Sequence, residues 1–296
     1  MAKHIYLNNS KQKDFIRNKW IQFAEEIYKE VNHDFGILTF PAEEMQDLRL
    51  FKEKGFIDWE EVETESADGT LNYRITKGKI RCFEKKSSVQ RYLNQRLIQA
   101  KIEGDFCPYI AANYSKIMSG KDKTFPVDVV NLDFDGRLQS NQKYPFEATI
   151  ECIFEFQRKH KQNFSLFLTW PSTEDEDMIE YKELLENIIE SNLSDPSAES
   201  FKQSFERSFR TIKDLKYERK SIIGIAKIII KKASHSLYSL RKSEFFVYGG
   251  NEQRKRMISL MFNFYFDGGS GREHILYSKN VGIAMIEAID VNLIIA

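Results

Sequence analysis

Val127-Asp128-Val129-Val130-Asn131-Leu132-Asp133 has an unbroken apolar centre, and a helical pattern from Phe146 to His160 leads from it to Phe164-Ser165-Leu166-Phe167-Leu168-Thr169-Trp170. Runs of this kind, apolar on both alternating faces, suit strands of a sheet covered on both sides. A helix between two such strands is the crossover that parallel neighbours need. These residues therefore predict an α/β fold with a parallel sheet.

The rhythm continues toward the N-terminus. Phe35-Gly36-Ile37-Leu38-Thr39-Phe40 reads as a buried strand and Lys79-Ile80-Arg81-Cys82-Phe83-Glu84 as another that ends in an acid. Between them Pro41 suits a first helical turn, Met45, Leu48 and Phe51 carry the helix, and Gly55 is its stop signal. Residues 58–77 are polar, with a turn signal at Asp68-Gly69, and read as a hairpin or an excursion. A helix is expected from about Ser87 to Lys101, with Val89, Leu93, Leu97 and Ile98 on one side, then a weaker strand near residues 105–111. Ahead of the first strand, Phe15, Ile16, Trp20, Phe23, Ile27 and Val31 recur at helical spacing.

Beyond Pro171 the chain changes character. Residues 174–199 are acidic and residues 202–242 basic, including Arg207, Arg210, Lys213, Lys216, Arg219, Lys220, Lys227, Lys231, Lys232, Arg241 and Lys242. Both stretches read as helices, separated by a loop at Ser194-Asp195-Pro196-Ser197. Two strand-like runs follow, Glu244 to Tyr248 and Met257 to Phe266, and the apolar tail from Ile283 to Ile295 is expected to pack back onto the body.

Composition excludes several classes of function. Hydrophobic residues make up 42% and charged residues 30% of the 296, enough for a large core in a soluble protein. Forty-four basic residues balance forty-four acidic ones, so no global field attracts nucleic acid and any such site is a local patch. The cysteines Cys82, Cys107 and Cys152 lie far apart with no CxxC or Cys/His spacing, which fits reduced thiols and no zinc site. The N-terminus shows no signal-peptide core, and the apolar run at residues 222–230 is broken by Lys227 and too short to span a bilayer. A cytoplasmic location without membrane insertion is the expectation. No GxSxG, GxGxxG or P-loop pattern is present, which argues against hydrolase, dinucleotide and ATP readings.

The order of elements resembles the class I S-adenosylmethionine-dependent methyltransferases. In that fold parallel strands alternate with helices, and a C-terminal antiparallel pair completes the sheet. The resemblance covers about residues 34–170 and 244–266. It implies a Rossmann-like, doubly wound, mostly parallel sheet with a helical insertion at about 174–243, preceded by an N-terminal helical segment at 1–33. It also implies S-adenosylmethionine as cofactor. The loop after the first strand, Thr39-Phe40-Pro41-Ala42-Glu43-Glu44, would meet the methionine end. Glu84 would hold the ribose hydroxyls, and Asn131-Leu132-Asp133-Phe134-Asp135-Gly136 would lie beside the transferable methyl. This last segment, followed by Pro145-Phe146, is similar to the Asp-Leu-Asp-Pro-Phe/Tyr-Gly motif of tRNA guanine-N2 methyltransferases, without its proline. The resemblance thus makes Asp133 and Asp135 catalytic candidates and Phe40, Pro41, Glu43, Glu84 and Asn131 cofactor contacts. The sequence departs from the family where glycines are expected after the first strand. Only Gly36 is there, inside the strand, while Phe40 and Pro41 occupy the loop.

Each candidate also has a plainer reading. Asp133 and Asp135 stand where open α/β sheets bind ligands, or Asp135-Gly136 is simply a turn. Glu84 contacts a ribose, caps the next helix, or pairs with Lys85 or Lys86. Glu43 and Glu44 complement a helix dipole or meet a cationic ligand, and they would repel a pyrophosphate. Trp170-Pro171 stacks an aromatic substrate or fills core. The basic stretch tracks phosphates or pairs with the acidic helix. Two functions emerge: a methyltransferase acting on nucleic acid or protein, and a catalytically inactive relative serving as a structural or sensing subunit that docks a protein partner. An open space after the first strand favours the former; Phe40 and Phe134 filling it favours the latter.

Overall fold

A computed structural model describes residues 11–41, 44–62, 72–134, 138, 145–172, 179–249, 256–268 and 289–290. The elements are α1 (Lys11–Tyr28), β1 (Gly36–Thr39), α2 (Gln46–Glu53), β2 (Asp58–Val62), β3 (Asn72–Lys77), β4 (Lys79–Phe83), α3 (Ser87–Arg96), β5 (Leu97–Ile98) and β6 (Lys101–Glu103). They continue with α4 (Phe106–Met118), β7 (Val129–Asp133), α5 (Phe146–Lys159), β8 (Phe164–Pro171), α6 (Ile179–Ser194), α7 (Glu199–Ser208), α8 (Tyr217–His235), β9 (Tyr238–Gly249), β10 (Arg256–Phe266) and β11 (Ile289–Asp290).

One sheet runs in the order β11-β9-β10-β8-β7-β1-β4-β6. Strands β6, β4, β1, β7 and β8 are mutually parallel, and β10 enters antiparallel between β8 and β9. The chain begins at β1 in the middle, moves outward through β4 to β6, and returns to β7 on the other side of β1. That reversal makes the gap between the C-terminal ends of β1 and β7 the topological switch point, where open α/β sheets take ligands. The layout is the Rossmann-like arrangement of the class I methyltransferases, with the antiparallel pair β9–β10 completing the sheet.

Alternation along the buried strands sends side chains into two cores. On one face Ile37, Val129, Phe167 and Met261 meet Ile16, Trp20, Phe23 and Ile27 of α1, Leu48 and Phe51 of α2, and Leu93 of α3. On the other, Leu38, Val130, Leu166 and Leu260 meet α4, α5 and the helices α6 to α8. Helix α1 is an integral layer: Trp20 stacks on Phe167 with ring centroids 5.9 Å apart. Gly224 lets α8 approach α6 closely, since a Cβ there would lie 2.3 Å from Leu185 Cδ2.

Several local expectations are corrected. Helix α2 begins at Gln46, after Met45 in the left-handed region at φ 52°, so Pro41 precedes it by a longer link than a first helical turn. Its end is as expected: Gly55 at φ 71° closes it, with Gly55 N–H donating to Lys52 O and Phe56 N–H to Phe51 O. Helix α3 stops at Arg96 because Leu97–Ile98 pair with β3, and Gln99 at φ 74° turns the chain into β6. The third parallel strand is Lys101–Glu103, whereas residues 105–111 begin α4, whose buried Phe106, Ile110 and Ile117 recur at helical spacing. The excursion at 58–77 is the hairpin β2–β3. The basic stretch contains α7, a 3₁₀ turn at Ile212–Asp214 and α8, but its last residues from Tyr238 onward belong to β9. The acidic run 174–177 and most of the tail lie outside the described residues.

Candidate functional site

At the C-terminal edge of the parallel strands, the aromatic side chains expected near a cofactor touch one another. Phe40, just past β1, lies edge-on to Phe134, just past β7, with centroids 5.3 Å apart, and 5.5 Å from Phe106 at the start of α4. Phe106 and Phe83 are buried beneath, 4.9 Å apart, while Phe40 and Phe134 are partly exposed. This edge thus carries buried aromatic rings and a partly exposed aromatic pair in place of a glycine loop.

Glu84 follows β4 at this edge. One carboxylate oxygen accepts the Lys86 N–H at 2.7 Å, which fixes the group at the start of α3. The other oxygen has no hydrogen-bond partner among the described residues. Glu84 thus bonds the N-cap residue Lys86 through one oxygen, and a second acceptor remains. Asp105, after β6, is exposed and takes the N-cap position of α4 without a side-chain capping bond. The sequence reading placed Asp105 in a strand and so missed it. The signal was the helical recurrence of apolar residues immediately after Gly104-Asp105.

Asp133 ends β7 as expected, and its carboxylate is joined at 2.5 Å to Lys13 Nζ of α1, with 6% of the Lys13 and 21% of the Asp133 side chain exposed. Burial works against charge on Lys13, yet Asp133, with Tyr248 and Asp47, outweighs it and holds the ammonium above its ordinary range. Burial pushes the Asp133 carboxyl up, with Lys13 opposing, and pushes the Tyr248 phenol up to about 12. A second ion pair lies alongside, Arg17 Nε to Asp47 Oδ1 at 2.7 Å. This set of charges binds α1 to the strand ends. Nothing local in the sequence marks Lys13, Arg17, Asp47 and Tyr248 as partners.

Asn131 points inward. It is fully buried on the α1 face, donates to Thr39 Oγ1 at 3.2 Å, and its Oδ1 is left without a partner. Pro41 is buried beside Phe40. Trp170 is 3% exposed in the core and not placed to stack a substrate. Glu43 and Asp135 lie outside the described residues. Among those residues no cluster of His, Cys, Asp and Glu could hold a metal, and no helix is long and apolar enough to cross a membrane.

A separate open hollow of about 410 Å³ lies beside the hairpin, lined by Arg49, Lys52, Trp59 and Lys77 among others. Its lysines are already engaged, Lys52 with Asp58 and the Trp59 carbonyl, and Lys77 with the Gly55 carbonyl.

No family model matches the sequence, and no curated protein matches it. Among solved structures, M. jannaschii TYW2 in complex with AdoMet overlaps 88% of this chain and 80% of its own at 10% identity, with a TM-score of 0.39. The plantazolicin methyltransferase BamL, in complex with a desmethylPZN analog and SAH, overlaps 84% and 85% at 8% identity, also with a TM-score of 0.39. The related BpumL overlaps 86% and 90% at 8% identity, with a TM-score of 0.36. Superpositions this loose carry no argument about the chemistry of this chain. Its class, a protein with the class I methyltransferase fold, rests on the order and direction of its own strands.

Proposed function

We propose that this protein binds S-adenosylmethionine at the C-terminal edge of β1, β4 and β7 and is a methyltransferase whose acceptor is a nucleic acid or a protein. The observation that carries the reading is Glu84: a carboxylate beside the switch point, oriented through one oxygen, with the other available to ribose hydroxyls. When bound, S-adenosylmethionine supplies a methyl group on a sulfonium centre.

The charges at the edge suit such a ligand. The partly exposed rings of Phe40 and Phe134 present the negative faces that attract a cation. Asp105 adds an acceptor at the neighbouring strand end. Asp133, held by Lys13, and Asp135 would position an acceptor, and Glu43 would meet the ammonium end. For an amine acceptor, positioning and late removal of a proton are what the protein contributes.

A second reading is favoured by the 5.3 Å contact of Phe40 with Phe134, which brings rings together across the switch point. In it the chain is an inactive relative that serves as a structural or sensing subunit and docks a protein partner through its charged helices.

Calorimetric titration with S-adenosylmethionine and S-adenosylhomocysteine tests the first reading. Micromolar binding is expected, weakened about tenfold or more by Glu84→Ala through loss of a charged hydrogen-bond acceptor. Absence of heat and of thermal shift at millimolar ligand would retire the enzyme and leave the second reading.

A further inference from the structure

We propose that the exposed segment at residues 207–216 is a nucleic-acid-binding surface. Arg207, Arg210, Lys213 and Lys216 recur every third residue from the end of α7 through the 3₁₀ turn to the residue before α8, and all four are exposed. None of them makes an ion pair among the described residues.

Four other lysines of the basic stretch behave differently. Lys220 pairs with Glu186 of α6, Lys232 with Glu151 of α5 and Lys242 with Glu26 of α1, each at 2.5 Å. Lys227 is half-buried over the Phe201 ring. The fold therefore neutralises or covers these lysines and leaves the segment at 207–216 uncompensated. Asp214, the acid inside it, accepts the backbone N–H groups of Arg210 and Thr211 at 3.0 and 2.8 Å. Phe205 and Leu215, both buried, fasten the segment to the core while its cations stay in solvent.

Its position is also fixed. Glu218, at the start of α8, faces Arg256 at 3.7 Å, and Arg256 O accepts the Ser172 N–H just past β8. The residue two positions after the segment thus lies near the C-terminal end of β8, on the same edge of the sheet as Phe40 and Glu84. Regularly spaced, unpaired cations suit a chain of phosphates. An anionic membrane is the poorer fit, because surface-seeking segments need an exposed apolar face. Among the described residues the only exposed large hydrophobic side chain is Leu184, on α6.

The surface stands whether or not the crevice takes a cofactor, so the test contains none. Anisotropy of a labelled single-stranded RNA oligonucleotide is followed in a salt series, with a DNA duplex of equal length alongside. Four phosphate contacts predict binding about 50-fold weaker at about 200 mM salt than at about 50 mM. The variant R207Q/R210Q/K213Q/K216Q is expected to lose at least about tenfold in affinity at low salt and most of the salt slope. K232Q, which removes an internally paired lysine, is expected to keep both. Should the fourfold variant not fold by circular dichroism, R207Q/K213Q is expected to remove about half the slope. The proposal is overturned if neither nucleic acid binds, if the variants retain wild-type affinity and slope, or if phosphatidylserine vesicles bind where nucleic acid does not.

Discussion

Lys13 on α1 and Asp133 at the end of β7 meet at 2.5 Å across 120 residues of sequence, and Lys13 also lies 3.5 Å from the Tyr248 hydroxyl on β9. One buried ammonium thus joins the first helix, a central strand and the strand of the closing pair. Arg17 and Asp47 repeat the device between α1 and α2. The acid expected at a catalytic position thus also holds the layer above it.

Removing one partner of a buried pair leaves the other charge without compensation, at a cost of about 3–5 kcal/mol, whereas replacing both with apolar groups is often near neutral. Lys13→Met is expected to lower the unfolding free energy from urea titration by that amount, and Lys13→Met with Asp133→Leu to restore most of it. A loss below about 1 kcal/mol for the single variant, typical of a solvent-screened pair, would show that the contact is not a buried clasp.

Asp122 ties the loop after α4 to β6, and its carboxyl is held well below its ordinary 3.8. Burial opposes this, but hydrogen bonds from Lys101 at 2.8 Å, from Tyr109, and from Thr124 Oγ1 at 2.7 Å and N–H at 2.8 Å outweigh it. Because the folded value is lowered, its stabilising contribution is complete above 3.8 and is lost as pH falls below that toward the folded value. The urea midpoint is expected to fall between about pH 5 and about pH 2, and Asp122→Asn to be less stable at neutral pH with a shallower acid fall. An unchanged acid limb in the variant would assign the acid sensitivity to other carboxylates.

Gly78 joins β3 to β4 at φ 82°, where an added Cβ would lie 2.7 Å from Ile57 Cγ2 and 2.9 Å from the Phe35 carbonyl oxygen. That carbonyl also accepts the Lys79 N–H at 2.8 Å, so it cannot withdraw freely. Gly55 has a similar φ of 71° but nothing within 4 Å of an added Cβ. Both alanine variants carry the left-handed strain of about 1–2 kcal/mol, and Gly78→Ala adds about 1–3 kcal/mol of overpacking. Equal losses in chemical denaturation would show that the loop yields at Gly78.

The difference between what was legible and what was not follows from the range of the interactions. β1, β4, β7 and β8 were readable because Ile37-Leu38, Cys82-Phe83, Val129-Val130 and Leu166-Phe167-Leu168 put apolar side chains on both faces, a local pattern. Gly55 announced a helix end for a similarly local reason. The strand Lys101–Glu103 was missed because three residues flanked by charges carry no periodic signal, and its identity comes from pairing with Arg81, Cys82 and Phe83. The start of β9 was hidden because Arg241 and Lys242 continued a basic run, although Ser239 and Leu240 already alternate across the sheet. Asp133 and Asn131 were placed correctly on their strand. Their roles were not legible, because Lys13 and Thr39 reach them from about a hundred residues away.

Phe40 separates the two functional readings by the sign of one effect. If its partly exposed ring walls a cofactor site, Phe40→Ala removes a favourable face worth about 0.5–2 kcal/mol and weakens S-adenosylmethionine binding several-fold. If the ring closes the crevice against Phe134, the same change opens it, and a ligand that the wild type does not bind acquires an affinity. The expected result is weakening, with little change in thermal midpoint because the deeper Phe83–Phe106 contact stays intact. Gain of binding in Phe40→Ala over a wild type that gives no heat would instead identify the aromatic rim as a plug and the chain as a protein that has exchanged catalysis for packing.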